Sequence, residues 1–270
     1  MTDSGMAPLA FSEASASFDR LVAIMERLRD PELGCEWDRV QDFASIAPFT
    51  IEEAYEVADA IERGDMADLK SELGDLALQV VFHAQMASEA GHFSVDDVLA
   101  AVCDKLERRH PHIFGDSPTG GHHLWEEIKA AERASGPDSS ALAGVALALP
   151  ALERAMKLQK RAARTGFDWP DASGARAKIA EELAEVEAAV SEDEREEEIG
   201  DLLFAVVNFA RFLKVEPEQA LRKANRKFER RFRAIETEPG FEALPLEAKE
   251  ALWVAAKRTI ALENAPNFPG

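Results

Sequence analysis

One segment of the sequence is the most informative about the architecture: EELAE at residues 181–185, followed after 12 residues by EIGD at residues 198–201. Its carboxylates stand three or four residues apart, and at that spacing side chains share one face of an α-helix. An unpaired group of acidic side chains repels itself, and a hard divalent cation that takes oxygen ligands would remove that cost. The stretch therefore predicts a metal site built between two helices.

The same pattern occurs earlier in the chain, as EEAYE at residues 52–56 and ELGD at residues 72–75. Further blocks recur in the same order, at offsets of 122 to 132 residues. They are GCEW at 34–37 with GFDW at 166–169, KLERR at 105–109 with KFERR at 227–231, and Trp125-x-x-x-Lys129 with Trp253-x-x-x-Lys257. Five matched blocks in one order predict an internal duplication of a unit of roughly 125 residues.

The duplication predicts where the chain divides. We expect a first unit at residues 1–133 and a second unit at residues 141–263. Residues 134–140 consist largely of small, polar and turn-forming residues, so we expect a linker there. Residues 264–270 are expected to be a frayed tail.

The composition favours helix over strand. Apolar residues make up 46% of the chain and aromatic residues only 7%, with Ala, Leu and Glu abundant. Residues 76–82 and 202–207 are apolar almost all round, which predicts helices buried on most sides, in a bundle centre or at a subunit interface. We therefore expect an all-α fold of two tandem four-helix units.

Charge limits the possible partners. The formal net charge of −20 disfavours binding to a nucleic acid polymer or an anionic membrane, and an anionic substrate would need a metal or a local basic patch. Residues 1–17 have no basic start followed by an apolar run, and no apolar stretch approaches about 18 residues. We expect a cytoplasmic protein, in which Cys35 is a small buried hydrophobe.

The acidic pairs Glu53 with Glu56 and Glu72 with Asp75 project together, as do their counterparts in the second copy. Asp75 and Asp201 stand directly before the most apolar runs, so each is expected to be partly buried and to need a partner. Carboxylate ligation indicates Mg²⁺ or Mn²⁺ rather than zinc. Glu89-x-x-His92 and Glu107-x-x-His110 match a di-iron motif, but both histidines fall at expected helix ends, which disfavours that alternative.

Basic residues cluster on one predicted helix in each copy. Ordinary pairing with nearby glutamates is one interpretation. The other is a triphosphate clamp, because Lys227 and Arg231 stand four residues apart and arginine presents a planar fork to phosphate. Trp253 and Lys257 share the same spacing and could stack on a base and bind phosphate, although such a tryptophan could equally be core. No glycine-rich phosphate-binding loop is present.

With these blocks in place, the sequence resembles the MazG family of nucleoside triphosphate pyrophosphohydrolases. The family pattern is EExxE, a spacer and ExxD, and the two copies have spacers of 15 and 12 residues. The resemblance covers nearly the whole chain. One departure is Glu36, where related sequences typically have proline, and it lies outside the acidic pattern.

The resemblance implies an all-α homodimer that binds Mg²⁺ and hydrolyses nucleoside triphosphates to the monophosphate and pyrophosphate, with broad base tolerance. Glu181 would orient or deprotonate water, and Trp253 would contact the nucleoside. Lys178, Lys227 and Arg231 would neutralise the triphosphate, with Lys227 in the catalytic set, and Asn225 and Lys257 would also lie at the substrate. The metal ligands of the second copy would be Glu182, Glu185, Glu198 and Asp201. Those of the first would be Glu53, Glu56, Glu72 and Asp75.

The two copies differ around these residues. At an offset of 129, Lys178 is matched by Phe49, and at an offset of 122, Asn225 is matched by Cys103. At an offset of 132, a further cationic set is matched by mostly uncharged residues: Lys157, Lys160 and Arg164 stand against Met25, Leu28 and Glu32. We therefore expect the second copy to be the main catalytic site.

Two alternatives of other kinds are open. One is a non-catalytic helical regulator that senses Mg²⁺ or nucleotide. The other is a pyrophosphohydrolase for a different nucleotide, such as a deoxyuridine or phosphoribosyl nucleotide, although a single unit would be expected for those activities.

Overall fold

The computed structural model describes residues 14–115, 128, 138 and 140–263. Within these residues the chain forms α-helices and one 3-10 turn, and no strand, so the all-α prediction is confirmed. The helices divide into two compact units between Lys129 and Ala130. Most of the predicted linker at 134–140 and all of the predicted tail at 264–270 lie outside the described residues, so the exact boundaries stay predictions.

The described helices of the first unit are α1 (Ala14–Leu28), α2 (Glu36–Arg39), α3 (Phe43–Arg63), α4 (Met66–Glu89), α5 (Val95–Arg109) and α6 (Pro111–Phe114). Those of the second unit are α7 (Ala151–Arg164), α8 (Ala172–Ala188), α9 (Glu192–Phe212), α10 (Pro217–Ile235) and α11 (Leu246–Glu263), with a 3-10 turn at Phe241–Ala243. In each unit the acidic pattern falls on a helical hairpin, α3–α4 or α8–α9.

Local signals explain the ends of the α3–α4 hairpin. Asp42 and Ser45 form a reciprocal capping box at the start of α3. Gly64 ends that helix at φ 70°, a left-handed conformation that favours glycine. Asp65 then accepts hydrogen bonds from the first backbone amides of α4. Two adjacent residues, Gly64 and Asp65, therefore determine the reversal of the chain between α3 and α4.

The α8–α9 hairpin uses the same kind of signals. Asp171 caps α8 by accepting a hydrogen bond from the Ser173 amide at 2.7 Å. Ser191 and Glu194 form a capping box at the start of α9. The acidic first turn of α9 also suits the positive end of the helix dipole. These ends fix the register in which the carboxylates of the two helices face each other.

A packed core lies between the first helix and the hairpin of each unit. In the first unit Met25, Ile46, Val81, Phe82 and Met86 form this cluster. In the second unit Met156 is the fully buried residue of α7, so it takes the place that Met25 has in α1. The expected match of Lys157 with Met25 is therefore wrong by one residue, because the burial pattern, and not the loop offset, sets the helix register.

The long apolar runs are not buried on every side within a unit. In the second unit several apolar side chains on α8 and α9 are between 42% and 51% exposed. We give the name α8–α9 apolar face to four of them: Leu183, Ile199, Leu203 and Val206. Residues 199, 203 and 206 are spaced as one side of a helix. Such a face is typical of a subunit interface and not of a bundle centre.

Three smaller expectations can be compared with the structure. Cys35 is exposed, so its expected burial is wrong, because it caps a short surface helix. Glu89 accepts hydrogen bonds from the Arg29 guanidinium, which is a structural role and gives no support to a di-iron site. Among the described helices, none has the length and apolar character needed to cross a membrane.

Candidate functional site

Three carboxylates of the α8–α9 hairpin converge. Glu182, Glu185 and Glu198 each offer an oxygen, and these oxygens lie within 4.8 Å of one another. Glu182 and Glu185 are one helical turn apart on α8, and Glu198 faces them from α9. Asp201 is not in this group of oxygens, but it lies one turn beyond Glu198 and lines the adjoining cavity. The structure therefore brings together three of the four carboxylates that the sequence groups, and their role as metal ligands stays a prediction.

Glu182 is the buried member of the cluster, with 3% of its surface exposed. The Lys178 ammonium donates hydrogen bonds to Glu182 and, at 2.9 Å, to Glu181 Oε1. The pKa of the Glu182 carboxyl is lowered chiefly by this bond to Lys178, while the pKa of Lys178 is raised by both glutamates. Glu182 is therefore held ionised by a neighbour on its own helix.

The other two carboxylates carry the opposite shift. The pKa of Glu185 is raised, chiefly by its interaction with Glu182. The pKa of Glu198 is raised by burial and by the charges of Glu185, Glu182 and Asp201. A divalent cation with oxygen ligands would offset the repulsion among these carboxylates, so the donor set fits a hard metal ion.

The α3–α4 hairpin contains the corresponding cluster. Oxygens of Glu53, Glu56 and Glu72 lie within 4.8 Å of one another. The pKa of Glu53 is raised, first by burial and then by Asp75, Glu56 and Glu72. Phe49 stands where the second unit has Lys178, so no ammonium group offsets these charges from the same position.

A cavity of about 640 Å³ adjoins the carboxylates of the second unit. Lys178, Glu182 and Asp201 lie at its charged end. Its other lining residues come from the loops and the helices α7 and α9, and include Gln159, Phe167, Asp168, Trp169, Phe204, Asn208 and Arg211. Aromatic walls with a few polar groups are typical of a site for a planar organic ligand.

A hydrogen-bonded network fixes one wall of the cavity. The Arg211 guanidinium donates to both carboxylate oxygens of Asp168, at 2.9 and 2.5 Å. It also donates to Asn208 Oδ1 at 2.9 and 2.7 Å. The pKa of Asp168 is lowered chiefly by Arg211. The Asp168–Trp169 loop is thereby tied to α9, and the Asn208 amide is held by its oxygen.

The first unit has aromatic rings at corresponding positions. Phe49 and Phe82 stand where the second unit has Lys178 and Asn208. Both rings pack edge-on against Trp37, with centroid distances of 6.1 and 6.5 Å. Two polar residues that line the cavity of the second unit are thus replaced in the first unit by aromatic rings, of which Phe82 belongs to the core cluster.

The predicted phosphate clamp lies elsewhere. It comprises residues of α10 and α11, and none of them lines the cavity or belongs to the carboxylate cluster: Asn225, Lys227, Arg231, Trp253 and Lys257. Trp253 packs against Phe228, with ring centroids 5.2 Å apart, and the Arg231 guanidinium lies 5.7 Å from the Trp253 ring centroid. The matching residues Trp125 and Lys129 lie outside the described residues. Their role in substrate binding stays a prediction.

Sequence reasoning missed the polar residues of the cavity. Gln159 carried one usable signal, because it is a polar residue on the buried side of an amphipathic helix and is 6% exposed. Arg211 carried another, since it interrupts an otherwise apolar run. Neither signal identifies the residue to which the side chain is hydrogen-bonded. Phe204 lies 45 residues from Gln159 along the chain, and Asp168 lies 43 residues from Arg211.

Comparisons with known proteins agree with this arrangement. The model of the MazG nucleotide pyrophosphohydrolase domain matches residues 41–114 and 173–235, so each match contains one carboxylate cluster. A nucleoside triphosphate pyrophosphohydrolase of Escherichia coli K12 is 52% identical over 254 residues, covering 89% of this chain and 97% of that protein. A nucleoside triphosphate pyrophosphohydrolase/pyrophosphatase MazG of Thermotoga maritima is 49% identical over 250 residues, covering 91% and 97%.

A more distant relative matches a smaller part. A nucleoside triphosphate pyrophosphohydrolase of Mycobacterium tuberculosis is 37% identical over 151 residues, which is 54% of this chain and 45% of that protein. Since the domain model matches both units and the first two relatives are matched along nearly their whole length, the chain belongs to the MazG family of nucleotide pyrophosphohydrolases, in its tandem two-domain form.

Proposed function

We propose that this protein hydrolyses nucleoside triphosphates to the monophosphate and pyrophosphate, with the second unit as its main catalytic site and with broad tolerance of the base. One observation carries the proposal. In the second unit a cluster of three carboxylates adjoins a cavity of about 640 Å³ that has aromatic walls. A triphosphate next to the carboxylates would leave its nucleoside in that cavity.

Glu182, Glu185 and Glu198, with Asp201, would hold the metal in the second unit. Glu53, Glu56 and Glu72, with Asp75, would do so in the first. An all-oxygen donor set suits Mg²⁺, with Mn²⁺ as the alternative. A bound cation of this kind neutralises phosphate oxygens and increases the acidity of bound water. The convergence of oxygens from Glu182, Glu185 and Glu198 to within 4.8 Å of one another supports this assignment.

The remaining chemistry belongs to side chains of α8. Glu181 is exposed beside the cluster and would orient the attacking water and accept its proton. Water attacks the α-phosphorus, the anhydride bond to the β-phosphate breaks, and pyrophosphate leaves. Lys178 contacts both Glu181 and Glu182, so it would turn toward phosphate as substrate binds and neutralise part of its charge.

A second copy of this chain would complete the site. The predicted clamp residues Lys227 and Arg231 do not line the cavity of their own unit, and an anionic substrate in so acidic a protein needs further cations. The α8–α9 apolar face is continuous with the carboxylate hairpin, so pairing two copies there would bring basic residues of one copy toward the cluster of the other. The homodimer is therefore part of the proposal.

The experiment is product analysis of the full chain with each common nucleoside triphosphate and Mg²⁺, in wild type, Glu182→Gln and the matched variant Glu53→Gln. We expect monophosphate and pyrophosphate in equal amounts. Glu182→Gln should lower kcat by about a hundredfold, because it removes a metal ligand. Glu53→Gln should leave most turnover intact.

Three results would contradict the proposal. Loss of activity in Glu53→Gln alone would place catalysis in the first unit. Orthophosphate and diphosphate as products would place attack at the γ-phosphorus. Nucleotide binding without turnover would favour the regulator.

A further inference from the structure

Gln159 contains a buried polar atom that the fold does not use. This residue lies on α7, is 6% exposed and lines the cavity. Its Nε2 donates a hydrogen bond to the Phe204 carbonyl at 2.8 Å. Because a carbonyl can only accept, this bond fixes which end of the amide is nitrogen. The opposite end, Oε1, is buried and has no hydrogen-bond partner.

A buried acceptor without a partner lowers the stability of the folded state. The fold of the unit does not require an amide there. Three residues after the buried Met25, the first unit has Leu28, which packs against the core. Three residues after the buried Met156, the second unit has Gln159. The amide therefore lies in the unit whose cavity it lines, and the first unit has an apolar side chain in its place.

The surroundings indicate what Gln159 would bind. Trp169 and Phe204 supply aromatic surface in the same cavity, which suits a planar ring. Asn208 is held through its oxygen by Arg211, so its amide nitrogen is the group left to donate. A donor from Asn208 and an acceptor from Gln159 complement the edge of a nucleobase, which presents an acceptor beside an N–H group.

We infer that Gln159 Oε1 accepts a hydrogen bond from an N–H on the base of the nucleoside triphosphate, and so makes this residue a determinant of specificity. This inference rests on the proposed function. Every common base has an N–H on its hydrogen-bonding edge, so the residue is compatible with broad base tolerance. What it excludes is a ring without that donor. Gln159 also lies outside residues 173–235 matched by the family model.

The test compares pairs of substrates that differ in this donor. One pair is ATP and purine riboside triphosphate, which lacks the 6-amino group. The other is UTP and 3-methyluridine triphosphate, in which a methyl group replaces the N3 hydrogen. In wild type we expect kcat/KM to be about tenfold lower for the analogue in at least one pair, mainly through KM, because the analogue leaves Gln159 unpaired.

The variants are Gln159→Leu and the near-isosteric Gln159→Met, which guards against a folding defect in the first. Both should process the two members of that pair equally. The matched control is Gln79→Leu, since Gln79 is the buried glutamine of the first unit, 7% exposed, and its replacement should leave the wild-type discrimination in place.

Three results would overturn the inference. They are no discrimination by wild type in either pair, retained discrimination in both Gln159 variants, or an equal loss on both members of each pair. If the protein turns over no nucleoside triphosphate, the proposed function fails, and the same ratios are then taken from dissociation constants measured by calorimetry. Loss of discrimination in the Gln159 variants would still support the inference, and its persistence would overturn it.

Discussion

Lys178 and Phe49 stand at the same place in the two units, four residues before Glu182 and Glu53. The Lys178 ammonium lowers the pKa of Glu182. Phe49 has no charge, and the pKa of Glu53 is raised by burial and by its acidic neighbours. The exchange of Lys178 for Phe49 thus distinguishes the two clusters. In the second unit a lysine of the same helix partly balances the charge of the carboxylates, and in the first unit the residue at that position does not.

The Asp168–Arg211 pair makes a prediction about pH. The Arg211 guanidinium lowers the pKa of Asp168 from its ordinary value of 3.8. A lowered pKa in the folded state stabilises the protein above pH 3.8, and that contribution is lost as the pH falls through the folded-state pKa. Asp168→Asn should therefore reduce the free energy of unfolding at pH 7 by about 1 to 2 kcal/mol, and by progressively less in acid.

Urea denaturation of wild type and Asp168→Asn between pH 3 and pH 7 would measure this difference. Asp104→Asn, at an exposed aspartate of the first unit, is the control. A stability difference that stays constant down to the most acid pH would mean that Asp168 acts through its shape and not through its charge.

Among the elements, helix α8 fixes the position of the Trp169 ring, because the ring packs against Gly174 of that helix. A Cβ at Gly174 would lie 2.8 Å from Trp169 Nε1 and closer still to Cγ and Cδ1. Gly174→Ala should therefore push the ring into or away from the cavity. We expect kcat/KM for nucleoside triphosphates to fall by about tenfold, mostly through KM, in steady-state kinetics.

Gly74→Ala is the control for that substitution, because a Cβ at Gly74 meets nothing within 4 Å. It should leave the kinetic constants unaltered and raise stability by up to about 1 kcal/mol, since alanine favours helix. Unchanged kinetics in Gly174→Ala would mean that the Trp169 ring has no part in binding.

The two hairpins were predictable from their sequence alone. Glutamates three and four residues apart define one face of a helix. The same spacing occurs around Glu53 and around Glu182, which indicates a duplicated unit and not a chance match. Capping residues such as Ser191 are equally local signals. Each of these features depends on residues within one or two helical turns, which is the range over which a sequence pattern has a direct geometric meaning.

The cavity was not predictable in the same way. Gln159, Trp169 and Asn208 come from α7, a loop and α9, and only the packing of these elements brings them together. The alignment of α7 with α1 was also wrong by one residue. A loop can gain or lose one residue, whereas the buried position of Met156 fixes which residues of α7 face the core. Sequence spacing therefore located the charged end of the site and missed its polar walls.

At the scale of the whole molecule, Leu203 tests the proposed dimer. It is 51% exposed on the α8–α9 apolar face. Leu203→Glu would place a charge in the proposed interface, so sedimentation should find mostly monomer, and turnover should fall with it. Leu147→Glu, at a leucine that is 83% exposed outside this face, should leave both the mass and the activity as in wild type.

A mixing measurement separates assembly from site sharing. Glu182→Gln and Lys227→Met should each lose most of the wild-type activity alone. Co-expression of the two should restore activity if the two residues act across the interface, because mixed dimers then contain one intact site. A Leu203→Glu protein that remains dimeric would place the interface on another face.

The aromatic cluster of Trp37, Phe49 and Phe82 has a consequence for the lifetime of the protein. A ligand stabilises only the folded region that has room for it. If the base binds in the cavity of the second unit, as proposed, the first unit would depend on its own packing. The second unit would then be protected from opening and proteolysis in proportion to the nucleotide pool. The enzyme would thus persist longest when its substrate is abundant, and its catalytic half would be the first part degraded as the pool is depleted.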